Sequence, residues 1–142
     1  MKKYLGLILC LYLSYLSVNM YFSYKHLYLA TCYLHGNLGV EAMRELDIAT
    51  KQNPFNIISR YFLASLYLQQ NDPLNAMYLY RDIESRHPNF LMLNYQQAMI
   101  YKYLKMYRKA YEELCKAEKL YPASKLIYDE KKLFRVERSS NK

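Results

Sequence analysis

Residues 53–122 read NPFNIISRYFLASLYLQQNDPLNAMYLYRDIESRHPNFLMLNYQQAMIYKYLKMYRKAYEELCKAEKLYP, and their punctuation decides the fold. Pro54, Pro88 and Pro122 are spaced 34 residues apart. Their neighbours recur as well: Asn53 precedes Pro54, His87 and Asn89 flank Pro88, and Tyr121 precedes Pro122. A fixed period of this length marks a helix–turn–helix unit that stacks on copies of itself. Counting each Pro as the end of one unit places the starts at Ser23, Ile57 and Leu91.

In that register the small and large residues fall into line. Position 8, where the two helices of a unit cross closely, is Ala30, Ala64 and Ala98, and position 20 on the second helix is Ala42, Ala76 and Ala110. Position 11 is Tyr33, Tyr67 and Tyr101. Position 24 is Leu46, Tyr80 and Leu114, and position 27 is Ala49, Ile83 and Ala117. On these residues the chain resembles the tetratricopeptide repeat family over residues 23–122, as repeats 23–56, 57–90 and 91–122. Three departures stand out. The family's usual aromatic at position 4 is His26, Arg60 and Asn94; its usual Gly at position 8 is Ala; and position 7 is Leu29 and Leu63 but then Gln97. The resemblance implies an all-α protein, a short right-handed solenoid of three helical hairpins.

Composition agrees with a helical chain. Apolar residues make up 53%, enough for a core, and with 3 Gly and 4 Pro there are few turns. The 18 Tyr offer large packing area with a polar tip, which suits groove linings and half-wet helix faces. A net charge of +8 raises the question of nucleic acid. The basic residues after Tyr24, however, are interleaved with acids, as in Arg44-Glu45, Arg81-Asp82 and Glu118-Lys119. No Lys/Arg stripe with stacking aromatics is set apart, so nucleic acid is not the expected partner. Cys10, Cys32 and Cys115 are too widely spaced for a ligand pair or a disulfide framework.

Before the repeats lies a run without a charge, Tyr4 to Tyr24, preceded by Lys2 and Lys3. As a helix its 21 residues span about 31 Å, which matches a hydrocarbon core of about 30 Å. Tyr4, Tyr21 and Tyr24 lie near its ends, where amphipathic rings favour the headgroups. Residues 1–24 are therefore expected to be an uncleaved signal-anchor helix. A cleaved signal peptide is the second reading, although nothing near Leu16-Ser17-Val18-Asn19-Met20 supplies a good cleavage site. A buried helix packed on the first repeat is the third. No Gly or Pro lies between Gly6 and Gly36, so the anchor and the first repeat helix are expected to be one rod or to join at a soft bend near Ser23.

The remaining elements follow from stops and restarts. Gly36-Asn37-Leu38-Gly39 is the turn of repeat 1, with a Gly expected to supply the positive φ. Asn71-Asp72-Pro73 ends one helix and starts the next. Predicted helices run over residues 40–51, 57–70, 73–86, 91–104 and 107–120. Residues 123–138 are expected to form a capping helix with the apolar stripe Leu126, Ile127, Leu133 and Phe134, and 139–142 a frayed tail.

No constellation for catalysis is present. His26, His35 and His87 are far apart in sequence, no Gly-rich phosphate loop exists, and neighbouring acids such as Glu112-Glu113 point to different helix faces. No metal, no cofactor and no enzyme activity are expected. The resemblance instead implies a concave groove lined by the first helix of each repeat. Its candidate partner-binding residues are Tyr61, Leu68, Met92, Tyr95, Met99, Lys102 and Tyr103. Relatives that clamp a chaperone's C-terminal carboxylate use several basic and amide side chains there. Only Lys102 is basic here, so the groove fits an extended or helical apolar segment better. The expected function is a non-catalytic scaffold for protein or peptide partners on a single-pass anchor, in a bacterial inner membrane. The Lys2-Lys3 side faces the cytoplasm in this reading and the repeats face the periplasm. The alternative is the detached tail of a glycan-transferring membrane enzyme resembling O-antigen ligase, a family in which a last membrane helix leads into such repeats.

Overall fold

The computed structural model describes residues 2–90 and 93–140, with side chains described for 4–90 and 93–134. Among the described residues there are seven α-helices and no strand. They are α1 (Lys2–His35), α2 (Gly39–Gln52), α3 (Ile57–Gln69), α4 (Pro73–Arg86), α5 (Leu93–Tyr103), α6 (Tyr107–Leu120) and α7 (Lys125–Ser140). The chain divides into two compact units, one ending at Asp72 and one beginning at Pro73.

The repeat phase is written into the backbone turns. Asn37, Asn71 and Lys105 hold left-handed φ values of 57, 59 and 58°. Each ends a first helix in the same hydrogen-bonded turn. The N–H one residue further on donates to the carbonyl of Tyr33, Tyr67 or Tyr101, at 2.9, 2.8 and 2.8 Å. This six-to-one bond satisfies a carbonyl that the helix end would leave orphaned. The turn sequence of repeat 1 leads one to expect the positive φ at a glycine. No glycine has one; Asn37 takes it, because α1 runs on to His35 and the left-handed residue falls one place beyond Gly36. Asn tolerates that conformation through its short polar side chain.

Unit 1 is α1 packed on α2, with α2 packed in turn on α3. Ala30 and Ala42 are fully buried in the first pair, with Leu46 and Ala49 beneath them. Alanines let two helix backbones approach closely, which is why position 8 and position 20 both lack bulk. The α2–α3 corner is tied to α1 by a buried polar network. Ser23 Oγ donates to the Ala49 carbonyl at 2.8 Å, and Asn56 Nδ2 donates to Ser23 Oγ at 3.0 Å. Asn56 Oδ1 also accepts from the Ser59 N–H at 3.2 Å, which caps α3. Replacing Asn56 by Ala removes both the cap and the partner of a buried hydroxyl, at about 1–3 kcal/mol. Asn56→Asp keeps the cap and loses the donor, so about half of the loss returns. Denaturant melts of the micelle-bound chain, followed by circular dichroism, check this; equal melts for Ala and Asp contradict it.

Upstream of Ser23, α1 stands clear of the unit. Residues 4–18 and 20–22 are exposed, in a helix whose best window has a mean hydropathy of 1.6. The reading of this run as a buried core helix is thereby overturned. Ser14 and Ser17 turn their hydroxyls back onto the carbonyls of Cys10 and Leu13, both at 2.9 Å. Such back-bonding hides the polar group inside the helix's own ladder.

Unit 2 is α4 on α5, α5 on α6 and α6 on α7. The signature residues Ala76, Tyr80, Ile83, Ala98, Ala110, Leu114 and Ala117 of this half are at most 1% exposed, and Tyr101 is 7% exposed. The capping helix differs from expectation in two ways. It begins at Lys125, after a turn in which the Ser124 N–H bonds to the Tyr121 carbonyl, and it runs through Ser139 and Ser140. Residues 141–142 of the expected tail lie outside the described residues. Its inner stripe is Ile127 and Phe134, at 0 and 5% exposure; Leu126 and Leu133 are 51 and 54% exposed. Each leucine precedes an inward residue by one position, and a 100° step on a helix turns it off the buried face.

Candidate functional site

The first helices present their repeat faces as a set of half-buried side chains. On α3, Ile58, Tyr61, Ser65 and Leu68 share one face by spacing. Tyr61 and Leu68 are half-buried there. The Tyr61 ring meets Phe62 edge-on at 6.2 Å, and Ser65 Oγ donates to the Tyr61 carbonyl at 3.0 Å. This face is aromatic and aliphatic, with the Ser65 hydroxyl turned onto the backbone.

On α5, Tyr95, Met99 and Lys102 are half-buried and Tyr103 is 62% exposed. Met92 lies outside the described residues. Here α7 intervenes. Lys102 Nζ stands 3.2 Å from Glu130 Oε2 and 5.2 Å from the centre of the Phe134 ring. Burial pushes the Tyr95 phenol above its ordinary pKa, the Glu130 carboxylate adds to the rise, and the Lys102 ammonium opposes it. Tyr95, Lys102 and Glu130 therefore share one environment. The one basic candidate is already neutralised from within the chain.

Further along, α7 is held by Lys131, which bonds Glu118 and lies 5.5 Å over the Tyr111 ring. That hydrogen bond raises the Lys131 pKa against the opposing effect of burial.

Three of the departures from the family pattern, His26, Asn94 and Gln97, have partners in the structure. His26 at position 4 pairs with Glu45 at position 23. The corresponding pair in repeat 3 is Asn94 Nδ2 to Glu113 Oε2, at 3.1 Å. Gln97 Nε2 donates to Glu84 Oε2 at 2.8 Å, and Lys116 Nζ completes the cluster on Glu113 at 2.8 Å. Asn94 and Gln97 are 4 and 2% exposed, so their amides need these partners. The cluster is a structural clamp joining α4, α5 and α6. A signal for it was present: polar residues at two inward positions of repeat 3, and a Glu at position 23 in repeats 1 and 3. Among the described residues no group of three His, Cys, Asp or Glu is placed to hold a metal ion. A furrow of about 440 Å³ runs along α4 between Leu74, Met77, Tyr78, Arg81 and Asp82. All five come from one helix, so it is an open surface and no enclosed site.

No protein-family model matches this chain, and no curated protein matches it by sequence. Its structural relatives are nonetheless consistent with one another. The tetratricopeptide domain of Arabidopsis OM64 superposes with a TM-score of 0.76 at 18% identity, over 82% of this chain and 97% of that one. The first tetratricopeptide domain of Spaghetti (RPAP3), solved with the HSP90 peptide SRMEEVD, gives 0.77 at 12% identity, over 84% and 95%. MamA gives 0.76 at 16% identity, over 82% and 68%. At these identities the likeness establishes the fold, which is that of tetratricopeptide repeat domains.

Proposed function

We propose that this chain is a non-catalytic interaction module, in which tetratricopeptide hairpins bind a protein or peptide segment and α1 holds them at a membrane. The repeat fold supports the first part: a similar domain is seen with a peptide bound, and the first helices here carry apolar, half-buried faces. The partner differs in kind from an acidic C-terminus. Lys102 is spent on Glu130, whereas Tyr61 and Leu68 on α3, and Tyr95, Met99 and Tyr103 on α5, offer aromatic and flexible contacts. Photoreactive side chains at Leu68 and at Tyr103 are expected to give a defined adduct, and one at the exposed Lys119 none. Equal yields at all three sink the assignment of these two helix faces as binding surfaces.

The membrane part rests on the exposed apolar stretch of α1. The full chain is expected to stay in the membrane pellet through an alkaline carbonate wash, and a chain without residues 4–22 to leave it. Release of the full chain by carbonate contradicts the anchor. A bacterial inner membrane, with the repeats on the periplasmic side, is the proposed setting, and labelling of Cys32 in intact spheroplasts reads that side. One observation favours the second reading, a tail of a glycan-transferring membrane enzyme: α1 passes from the apolar stretch into the first repeat without a break. Co-purification with a polytopic membrane protein and lipid-linked glycan distinguishes it.

A further inference from the structure

We infer that the α2–α3 corner is a second membrane contact, in which Phe55 seats its ring at the boundary between lipid headgroups and acyl chains beside the emerging α1. This rests on the reading of α1 as a membrane span. If the uncharged run Tyr4–Tyr24 fills the hydrocarbon core, its last residues lie at the headgroup boundary. Ser23 is one of them, and it is fully buried by protein. What buries it is the far end of the hairpin: Ala49 accepts its hydroxyl at 2.8 Å and Asn56 donates to it at 3.0 Å. The corner of residues 53–56 is thus pinned at the height where the span ends.

The corner's own side chains divide accordingly. Asn53 and Asn56 turn inward at 8 and 5% exposure, whereas Phe55 turns outward at 79%. The Phe55 N–H bonds to Asn53 Oδ1 at 3.0 Å, which fixes the corner's backbone in this form. Ile58, in the first turn of α3, is 45% exposed. Lys51, exposed two residues before the corner, is paired with Asp47 at 2.6 Å, and no acidic residue occurs from 48 to 71. An exposed aromatic ring on a corner free of carboxylates matches the interface: the ring reaches about 5–10 Å into the boundary. The turn's own polar backbone stays in the hydrated layer, as it must.

The chain contains no Trp, so single-Trp variants report each site directly. Full-length Phe55→Trp, Leu11→Trp and Val40→Trp are placed in lipid nanodiscs carrying bromine either near the headgroups or near the bilayer centre. Val40, exposed at the start of α2, sits at the opposite end of the hairpin from the corner. Trp at 55 is expected to lose about half of its fluorescence to shallow bromines and less to deep ones. Trp at 11 is quenched most by deep bromines, and Trp at 40 by neither. If Trp at 11 is quenched while Trp at 55 behaves like Trp at 40, the corner contact is wrong and the anchor stands. If deep bromines quench Trp at 55 most strongly, the boundary placement is wrong. If Trp at 11 is unquenched, the anchor reading falls and this inference falls with it.

Discussion

Ala98→Arg unfolds the half of the chain that begins at Pro73. Ala98 is fully buried in α5, which packs on α6 where Ala110 is equally buried. Two alanines bring those helices to close approach, and no rotamer of arginine fits that space. The substitution adds steric overlap to the burial of an unpaired guanidinium, each a cause of the largest single-residue losses. Together they remove more than about 5 kcal/mol, as much as many domains of this size possess. Hydrogen exchange on the micelle-bound chain is the measurement. Amides of α4, α5 and α6 are expected to lose protection, while those of α2 keep theirs. Unchanged protection in α5 and α6 contradicts the repeat register itself. Ala98→Ser, nearly isosteric, costs no more than about 1–2 kcal/mol and shows that bulk and charge are the cause.

Phe134→Ala releases α7, the helix proposed as a cap. Phe134 is 5% exposed, its ring takes Tyr107 edge-on at 6.4 Å, and Lys102 lies over it at 5.2 Å. Truncating a buried Phe costs about 3–5 kcal/mol, far more than the half-exposed Lys102–Glu130 pair contributes. Among the described residues Ile127, the Lys131–Glu118 bond and the Lys102–Glu130 pair remain on α7, all on the N-terminal side of Phe134. The expected result is loss of exchange protection from about residue 130 onward, with α4 to α6 retained in a weakened unit. Phe134→Leu recovers most of the loss, since volume matters more here than the ring's polarity. Full protection of α7 in the Ala variant contradicts its role as a cap. Release of α7 also frees Lys102 and Tyr95, so the Tyr95 phenol falls back toward its ordinary pKa once burial and Glu130 are gone.

The repeat was legible because its signals are local and periodic. A Pro, an Ala pair and a Tyr recurring every 34 residues state the helix boundaries and the inward face of each helix, and the turns follow from the same phase. Errors arose where one residue's step changes the answer. The positive φ moved from Gly36 to Asn37, and the apolar stripe of α7 moved off Leu126 and Leu133.

What the sequence alone determined is the all-helical repeat, its phase, its buried alanines and the long apolar stretch ahead of it. Each is encoded in residues that are neighbours along the chain or recur at a fixed interval. What only the tertiary structure decided are the pairings across helices: His26 with Glu45 and Asn94 with Glu113, both 19 positions apart, Lys102 with Glu130, 28 apart, and Asn56 with Ser23, 33 apart. Those contacts pair Lys102 within the chain and hold the α2–α3 corner against α1 at Ser23. They depend on how far one helix slides and turns against the next. That is fixed by packing over the whole hairpin, and no local pattern in the chain records it.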